Sequence, residues 1–303
     1  MKCASIDIGT NSVLLIVAEI FDNELTVLQE KQEIPRLGKG VDRDKKLSPE
    51  SQVRVINVLK SYKALLTDQY PEVVSDTTVT ATSAVRDASN RDYFLDSVFI
   101  ETGWKIRLLS GEEEAQVTYK GALSVLDTED DKMYVVLDIG GGSTEIAQGI
   151  GSILVNGISL DMGSVRFTER FFKKSKSNQT SVQKIRSEVQ RNLESIDKLN
   201  KPYSVIGVAG TVSSIAAVNS GLTSYDANKL NGYLLEKNAI ERYIDQFTGL
   251  SAQEIESKNP VFLKGRGDVI LAGIIILSEF LNWCESDSIL ISTGGIRHGI
   301  LTK

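Results

Sequence analysis

The chain carries the same short motif twice, and this repeat constrains the fold more than any other feature of the sequence. IDIGTNS at residues 6–12 returns as LDIGGGS at residues 137–143, with aspartate, isoleucine, glycine and serine in the same places. Each copy follows apolar residues typical of a buried strand and leads into another apolar run, residues 13–20 and 144–150. The sequence therefore predicts a strand, a glycine turn and a second strand, built twice.

Helices and strands alternate after each copy of the motif. The predicted helices cover residues 48–67, 90–102, 110–126, 181–198, 211–220, 236–247 and 269–282. The predicted strands between them cover residues 77–82, 106–109, 203–208 and 288–292. This alternation predicts an α/β protein of two similar domains, residues 1–127 and 128–303, with a cleft between them. The acidic loop DTEDDK at residues 127–132 supplies the boundary.

The charge balance limits the partners of the chain. It has 34 lysines and arginines against 40 aspartates and glutamates, a formal net charge of −6. Because duplex affinity comes mainly from cations that neutralise phosphates, this balance argues against a general DNA- or RNA-binding protein. The longest apolar run, residues 269–277, is about half of a membrane span, and Asp7 interrupts the apolar core that a signal peptide would need. We therefore expect a cytoplasmic protein with no nucleic-acid or membrane partner.

The rare residues exclude several classes of site. Cys3 and Cys284 lie at opposite ends of the chain, so there is no disulfide framework and no CxxC metal pair. One histidine, His298, excludes histidine-rich zinc sites and leaves a single candidate for a serine–histidine–aspartate arrangement. We therefore expect a carboxylate as any general base.

Glycines at a strand end let the backbone turn tightly and aim several N–H groups at one point, which favours an anion such as phosphate. Asp7 and Asp138, which precede the two turns, would repel phosphate and are better suited to holding Mg²⁺ through water beside it. Two further glycine turns, at residues 207–214 and 293–295, follow predicted strands, and the first of them opens a helix. Four such turns suggest a ligand shaped like polyphosphate. The alternative is that the repeated turns are ordinary β-hairpin turns.

The acidic cluster SGEEEA at residues 110–115 begins a predicted helix. Ser110 and Glu113 have the spacing of a capping box, which gives Glu113 a structural role and leaves Glu112 and Glu114 pointing elsewhere. A carboxylate beside a phosphate suits a base that takes a proton from water. The alternative is that these acids complement the helix dipole in the first turn.

Arg86 and two basic segments have roles that the sequence alone does not decide. Arg86 follows a strand and could grip phosphate with two hydrogen bonds, but it could equally pair with Asp87 or Asp92. The basic and aromatic segment at residues 170–176 is predicted to be a solvated loop. KGRGD at residues 264–268 could cap the following helix or bind a ligand.

The order of these motifs resembles the exopolyphosphatase/guanosine pentaphosphate phosphohydrolase (Ppx/GppA) family over the whole chain. The motifs that carry the resemblance are SIDIGTNS at 5–12, ATSAVR at 81–86, SGEEEA at 110–115, LDIGGGSTE at 137–145 and GT at 210–211. The resemblance implies two actin-like (ribonuclease H-like) domains of the sugar-kinase, Hsp70 and actin superfamily. It also implies release of terminal phosphate from inorganic polyphosphate or guanosine pentaphosphate (pppGpp), with Mg²⁺, by a homodimer. With 303 residues and one histidine, the chain resembles the short form of the family.

The resemblance also assigns roles to particular residues. Glu114, directly before alanine in the glutamate motif, corresponds to the catalytic glutamate, and Asp7 and Asp138 to the metal site. The implied phosphate-binding residues are Asn11, Ser12, Arg86, Gly140, Gly141, Gly142, Ser143, Gly210 and Thr211. Two alternatives from other classes stay open: a kinase or ATPase of the same superfamily, and a non-catalytic sensor that binds polyphosphate or guanosine tetra- and pentaphosphate.

Overall fold

Each copy of the repeated motif begins one of two mixed β-sheets. The computed structural model describes residues 1–22, 24–172, 177–197 and 203–302. The first sheet contains β1 (Lys2–Ile8), β2 (Val13–Phe21), β3 (Glu24–Glu33), β4 (Thr78–Ala81) and β5 (Ile106–Leu108). The second contains β6 (Met133–Ile139), β7 (Thr144–Ile150), β8 (Ile153–Leu160), β9 (Ser204–Val208), β10 (Leu234–Glu236) and β11 (Ser288–Ile291).

The two sheets share the topology of five strands, and the second has one further strand, β10, which pairs antiparallel with β11 at its edge. The strand order is β3-β2-β1-β4-β5 in the first and β10-β11-β9-β6-β7-β8 in the second. In both, three antiparallel strands that contain the repeat continue into parallel strands, with β1 beside β4 and β6 beside β9. The predicted two-domain actin-like α/β fold is thereby confirmed. The parallel pairing brings the carboxyl ends of β1, β4, β6 and β9 to the inner edges of their sheets, where the glycine turns lie.

Helices cover the faces of both sheets. Those of the first half are α1 (Val41–Asp44), α2 (Pro49–Gln69), α3 (Ser83–Arg86), α4 (Arg91–Thr102) and α5 (Gly111–Leu123). Those of the second half are α6 (Ser164–Phe171), α7 (Gln179–Glu194), α8 (Ala209–Asn219), α9 (Ala227–Leu230), α10 (Lys237–Phe247), α11 (Ala252–Lys258), α12 (Ile270–Trp283) and α13 (Ile296–Gly299). No helix of these described ranges combines the length and apolarity needed to cross a membrane.

Two sequence expectations need correction or completion. The basic segment predicted to be a loop begins as a helix, since Arg170 and Phe171 belong to α6. This helix forms because its apolar side chains pack on the hydrophobic core of the second half. Residues 173–176 lie outside the described residues. The predicted helix at 181–198 ends at Glu194 as α7, and its last residue also lies outside the described residues. The strands β3 and β8 were not predicted, since neither edge strand has a fully buried residue to mark a period of two.

Helix α5 crosses from the first half to the second sheet. Ala115 and Tyr119 share a core with Tyr134 and Ile206 of that sheet. In return, α13 near the end of the chain packs on α5 and reaches the first sheet, where the Ser5 hydroxyl donates to the Arg297 carbonyl at 2.6 Å. The boundary predicted at residue 127 stays a prediction. Helix α5 precedes this residue in the sequence but packs against the second sheet.

Glycine–glycine packing fixes α5 against the chain around α13. A Cβ on Gly121 would collide with the Gly295 carbonyl, and one on Gly299 would collide with the Val117 carbonyl. These backbone segments are therefore closer than any side chain permits. Since α5 carries Glu114 at its first turn, this contact also sets the depth of that carboxylate in the cleft.

We expect Gly121→Ala to lower the free energy of unfolding by about 1–3 kcal/mol or more, because the new methyl group meets rigid backbone rather than a side chain that can rotate away. Urea unfolding followed by circular dichroism measures this change. The control Gln116→Ala, on the exposed face of α5, is expected to stay within about 0.5 kcal/mol of wild type. Equal stabilities of the two variants would contradict the close backbone contact.

Candidate functional site

A cavity of about 780 Å³ lies between the two halves, within the usual range for a ligand site. Most of the predicted site residues line it, although they come from distant parts of the sequence. They are Asp7, Asn11, Ser12, Glu114, Asp138, Gly140, Gly141, Ser143, Gly210 and Thr211. Gly142 and Arg86 are not part of its lining and lie directly behind it.

Both repeated turns are β-hairpin turns that also face this cavity. Ile8 pairs with Val13 across the first turn and Ile139 with Thr144 across the second. Gly9 donates its N–H to the Ser12 carbonyl at 2.9 Å, and the equivalent bond from Gly140 to Ser143 is 3.0 Å. The two interpretations of these turns, as β-hairpin turns and as anion-binding turns, are therefore compatible.

The carbonyls of the second turn are held from behind by the start of α6. Gly140 accepts a hydrogen bond from the Ser164 N–H at 3.0 Å, and Gly141 accepts from the Val165 N–H at 2.9 Å. The Gly142 carbonyl accepts from the Nε of Arg166 at 2.6 Å. Because C=O and N–H point in opposite directions across a trans peptide, the N–H groups of residues 141–143 point away from α6, and Gly141 and Ser143 line the cavity. This is the arrangement of an anion nest.

The first turn is held in the same way by a different segment. The Thr10 carbonyl accepts from the Gly38 N–H at 2.8 Å, and the Asn11 carbonyl accepts from the Arg36 N–H at 2.9 Å. The N–H groups of Asn11 and Ser12 consequently point to the opposite side, where both residues line the cavity. Two sets of backbone donors thus face one space from the two halves of the chain.

Side chains of the first half fill the space that the glycines of the second turn leave. Thr10 and Ser83, whose hydroxyl oxygens are 3.0 Å apart, lie against this turn. A Cβ on Gly141 would come within 2.8 Å of the Thr10 Cβ, and one on Gly142 within 2.7 Å of the Ser83 hydroxyl. Gly142 is therefore required for the approach of the two halves, and its own position is behind the cavity.

Glu114 is a buried carboxylate held by an arginine. Its side chain is 6% exposed, and the Arg86 guanidinium donates to its Oε2 at 3.0 Å and to the Leu109 carbonyl at 3.0 Å. Neither Asp87 nor Asp92, the partners that the sequence suggested, pairs with Arg86 in the described chain. The geometry instead joins Arg86 to the very carboxylate that the sequence analysis selected.

The capping box at the start of α5 is confirmed. The Ser110 hydroxyl accepts from the Glu113 N–H at 3.1 Å, while the Glu113 carboxylate accepts from the Ser110 N–H at 2.9 Å. Glu113 also pairs with Arg107 at 2.9 Å and points outward. With Glu113 engaged and Glu112 exposed, Glu114 is the one acid of the cluster that enters the cavity.

Four acids crowd the inner part of the site. Burial raises the pKa of Asp7 to about 8, with a further contribution from the charges of Glu114 and Asp138. Burial also raises the pKa of Glu114, Asp138 and Glu145; Arg86 partly opposes the rise at Glu114, and a hydrogen bond from the Thr118 hydroxyl partly opposes it at Asp138. Four ionised carboxylates are therefore unfavourable so close together unless a cation compensates their charge.

Glu145 is a member of this cluster to which the sequence analysis gave no role. It is 1% exposed and accepts a hydrogen bond from the Ser159 hydroxyl at 2.6 Å. Its position two residues after Ser143, on β7, was visible in the motif LDIGGGSTE at 137–145, but its burial depends on β8, which supplies Ser159 and which was not predicted from the sequence.

Asp7 and Asp138 are the carboxylates best suited to a hard cation. Oδ1 of Asp7 and Nδ2 of Asn11 are buried and have no hydrogen-bond partner among the described residues, and Asp138 lies across the cavity with one bond from Thr118 at 3.3 Å. No group of three or more His, Cys, Asp or Glu side chains within the described ranges is close enough to form a ligand cage. The donor set fits a cation that keeps several of its waters, as Mg²⁺ does.

The outer wall of the cavity carries an arginine that the sequence left undecided. Arg266 lies over Gly210, where a Cβ would collide with its guanidinium, and burial lowers its pKa to about 10. In the parts of the chain that the structure describes, no carboxylate pairs with it. At the same turn Ala209 has φ of +69°, a left-handed backbone that costs a residue with a side chain about 1–3 kcal/mol. The charge of Arg266 favours an anion at the start of α8, and the strained backbone at Ala209 marks the same turn as unusual.

The one histidine does not reach the cavity. His298 is 1% exposed on α13, and burial together with the charge of Arg297 lowers its pKa to about 3. It is therefore neutral at physiological pH, and it does not line the cavity.

The crowding of acids makes stability depend on pH. Asp7 has an ordinary pKa near 4 in the unfolded chain and about 8 in the folded one, so the stability contributed by its neutral form is lost as pH rises from about 4 through 8. In a chelating buffer we expect the free energy of unfolding of wild type to fall over this interval, and Asp7→Asn to fall less steeply. The difference is at most about 1.4 kcal/mol per pH unit for one proton.

Urea unfolding at pH 5, 6, 7 and 8 measures both slopes. Asp68→Asn, an exposed aspartate on α2, is the matched control and keeps the wild-type slope. Parallel slopes for wild type and Asp7→Asn would show that Asp7 is not buried against the other acids.

Several known proteins resemble this chain in sequence and in structure. Residues 16–303 match the model of the Ppx/GppA phosphatase family. The chain is 36% identical to a bifunctional 3-dehydroquinate synthase/phosphatase of Fusobacterium nucleatum, over 99% of the chain but only 47% of that protein. It is 30% identical to exopolyphosphatase 2 of Mycobacterium tuberculosis, over 99% of the chain and 97% of that protein. The crystal structure of an Aquifex aeolicus Ppx/GppA family member, 31% identical, superposes with a TM-score of 0.82 over 100% of this chain and 96% of that one. The resemblance seen in the sequence is confirmed, and the chain belongs to the Ppx/GppA phosphatase family.

Proposed function

We propose that the protein is a phosphoanhydride hydrolase that releases the terminal phosphate of inorganic polyphosphate or pppGpp. The observation that carries the proposal is the position of Glu114, a buried carboxylate in the same cavity as two opposed sets of backbone N–H donors. The names of relatives support the substrate class: exopolyphosphatase 2 of M. tuberculosis, and a guanosine-5′-triphosphate,3′-diphosphate pyrophosphatase of Pseudoalteromonas translucida, 27% identical over 98% of the chain and 58% of that protein.

The two turns hold the terminal phosphate in this mechanism. The N–H groups of Asn11 and Ser12 approach it from the first half, and those of Gly141 and Ser143 from the second. Since these donors are fixed before the ligand arrives, they stabilise charge on the phosphoryl oxygens without rearranging. Gly210 and Thr211, at the start of α8, extend the same row of donors along the cavity and suit the next phosphate of the chain.

Glu114 takes the proton of the attacking water. Burial brings its pKa towards neutrality, which strengthens it as a base, while Arg86 favours the ionised form that can accept a proton. The same guanidinium has further N–H groups for a phosphoryl oxygen, so a shift of Arg86 from Glu114 to the substrate would free the carboxylate for the water. Phosphoryl transfer requires little covalent help from the protein, and such positioning is sufficient.

Asp7 and Asp138 would hold Mg²⁺ on the inner side of the phosphate. When bound, the ion neutralises charge on the phosphate oxygens. The two aspartates face each other across the cavity from equivalent positions in the repeat, and Thr118 fixes the orientation of Asp138. Asp7 and Asp138 would be less repelled by each other and by the neighbouring acids if they held a cation. Homodimerisation and a cytoplasmic location stay predictions from the sequence.

We expect Glu114→Gln to reduce phosphate release by about 10²-fold or more, because the amide cannot accept the proton of water. Phosphate release is measured on long polyphosphate, tripolyphosphate, pppGpp and ATP, and binding of the same compounds by calorimetry. Binding is expected to change little, since the backbone donors are untouched. Glu112→Gln, two residues earlier on the exposed side of α5, is the control and retains activity.

The pattern of substrates separates the alternatives. Release from polyphosphate or pppGpp that Glu114→Gln abolishes supports the hydrolase. Tight binding without release by wild type indicates a sensor, and turnover of ATP alone indicates a kinase or ATPase. Unchanged release by Glu114→Gln would contradict the role of this carboxylate.

We further expect Mg²⁺ to raise the melting temperature of the protein in the absence of substrate. A ligand at about 100 times its Kd stabilises the folded state by about 2.7 kcal/mol. Asp138→Asn is expected to lose most of this shift, whereas Asp130→Asn, in the exposed acidic loop, keeps it. Differential scanning fluorimetry in MgCl₂, against NaCl of equal ionic strength, measures the effect; equal shifts in the two salts would contradict a specific site.

A further inference from the structure

Arg166 of α6 makes a bridge between the two halves of the chain directly behind the second glycine turn. Its side chain is only 5% exposed. Its Nε donates to the Gly142 carbonyl at 2.6 Å within its own half. Its two terminal nitrogens donate across the cleft to Asp42 Oδ1 and Asp87 Oδ2, each at 2.6 Å. We call these four residues, Arg166, Gly142, Asp42 and Asp87, the Arg166 clasp.

The three bonds of the clasp use the guanidinium as a rigid plane. The Nε and terminal N–H groups of arginine have fixed relative directions, so the Gly142 carbonyl and the two carboxylates must keep fixed relative positions. Lysine offers one freely rotating ammonium and cannot impose such an arrangement. The clasp therefore transmits position as well as charge.

Each end of the clasp adjoins a group of the proposed mechanism. The Gly142 carbonyl belongs to the peptide whose N–H is that of Ser143, so the bond from Arg166 sets the direction of a cleft donor. Asp87 follows Arg86 and caps α3, with its N–H bonded to the Ser83 carbonyl at 2.9 Å. Through α3, Arg166 therefore joins the second turn to the arginine that holds Glu114.

Asp42 forms ion pairs with two arginines of α6. It accepts from Arg166 and also from Arg170, whose Nε lies 2.6 Å from its Oδ2. Burial acts to raise the pKa of the Asp42 carboxyl, but the two arginines outweigh burial and hold that pKa below its ordinary value. The side chain of Arg170 is 38% exposed, and its bonds in the described chain go to Asp42 alone, so it shares the ion pair without touching the turn.

We propose that Arg166 is a positioning residue that sets the distance and direction between the second glycine turn and the Arg86–Glu114 pair across the cleft. The proposal rests on the proposed hydrolase function for its kinetic consequence. Its geometric consequence, a fixed relation between the two halves, does not depend on any activity.

The kinetic test compares Arg166→Gln with Arg170→Gln on the best substrate of the wild type. Misplacement of reacting groups by about 1 Å costs on the order of 10²-fold in rate, so we expect kcat of Arg166→Gln to fall about 10- to 100-fold. We expect KM to change by less than about threefold, since the backbone donors of both turns are still present. Arg170→Gln removes one partner of Asp42 only and is expected to stay within about twofold of wild type in kcat.

A double variant tests the path through Asp87. Asp87→Asn weakens the same bridge from the other side and is expected to lower kcat less than Arg166→Gln does. Because both changes break one connection, Arg166→Gln combined with Asp87→Asn is expected to be no slower than Arg166→Gln alone. If Arg166→Gln does not fold, by circular dichroism and melting temperature, the milder Asp87→Asn decides the question by the same split between kcat and KM.

The distance between the halves gives a readout that needs no substrate. Spin labels at Ser61→Cys on α2 and Ser195→Cys after α7, both exposed, are introduced into a chain whose Cys3 and Cys284 are replaced by serine. Pulsed electron–electron double resonance measures the distance between the two labels in the protein without substrate. We expect one narrow distribution for wild type and for Arg170→Gln, and a broader or longer one for Arg166→Gln.

The outcomes distinguish this proposal from the proposed function. Broadening by Arg166→Gln together with the fall in kcat supports the proposal. An unchanged distance, a kcat within about twofold of wild type, or equal losses in Arg166→Gln and Arg170→Gln would overturn it. If the wild type releases no phosphate from any substrate, the proposed function fails, and the label distances still decide whether Arg166 fixes the two halves.

Discussion

The site depends on hydrogen bonds that lie outside it. A hairpin turn has no inherent reason to direct its N–H groups to one side, and an isolated glycine turn would sample many orientations. Here the carbonyls of the first turn are held by the N–H groups of Arg36 and Gly38, and those of the second turn by the start of α6. Because the trans peptide is planar, each carbonyl that is held from behind directs the N–H group of the same peptide to the opposite side. An anion site made in this way is ready before the anion binds, and its cost is met during folding.

The glycine turns alone do not define the site, because buried acids lie beside them. The N–H groups offer partial positive charge, yet Asp7, Glu114 and Asp138 line the same cavity and Glu145 lies beside them, and burial raises the pKa of all four carboxyls. Such a cavity repels a bare polyanion unless a cation accompanies it. In the proposed function, a phosphate accompanied by a divalent cation would satisfy both the N–H donors and the acids.

The sequence was sufficient for the parts of this arrangement that depend on neighbours in the chain. The repeated motif specified two strand–turn–strand units, and the spacing of Ser110 and Glu113 assigned Glu113 to the helix cap, which left Glu114 for the cavity. Partners that are distant in sequence were not accessible in the same way. Arg86 had two acidic neighbours in the sequence and bonds to neither, because the end of β5 and the start of α5 bring Glu114 to it from 28 residues away. The roles of α6 could not be predicted either, since the sequence analysis predicted a solvated loop from Arg170 onward and gave no role to Arg166.

The two copies of the motif differ where the fold requires them to differ. If both turns carried side chains at their centres, they could not approach each other, and if both lacked them, a gap would separate the halves. The first copy has Thr10 where the second has Gly141, and the threonine occupies the space that a Cβ on this glycine would need. Ser83 has the same relation to Gly142. The divergence from GTNS to GGGS is thus a steric fit between two related turns, which keeps the shared aspartates and serines while both turns face one cavity.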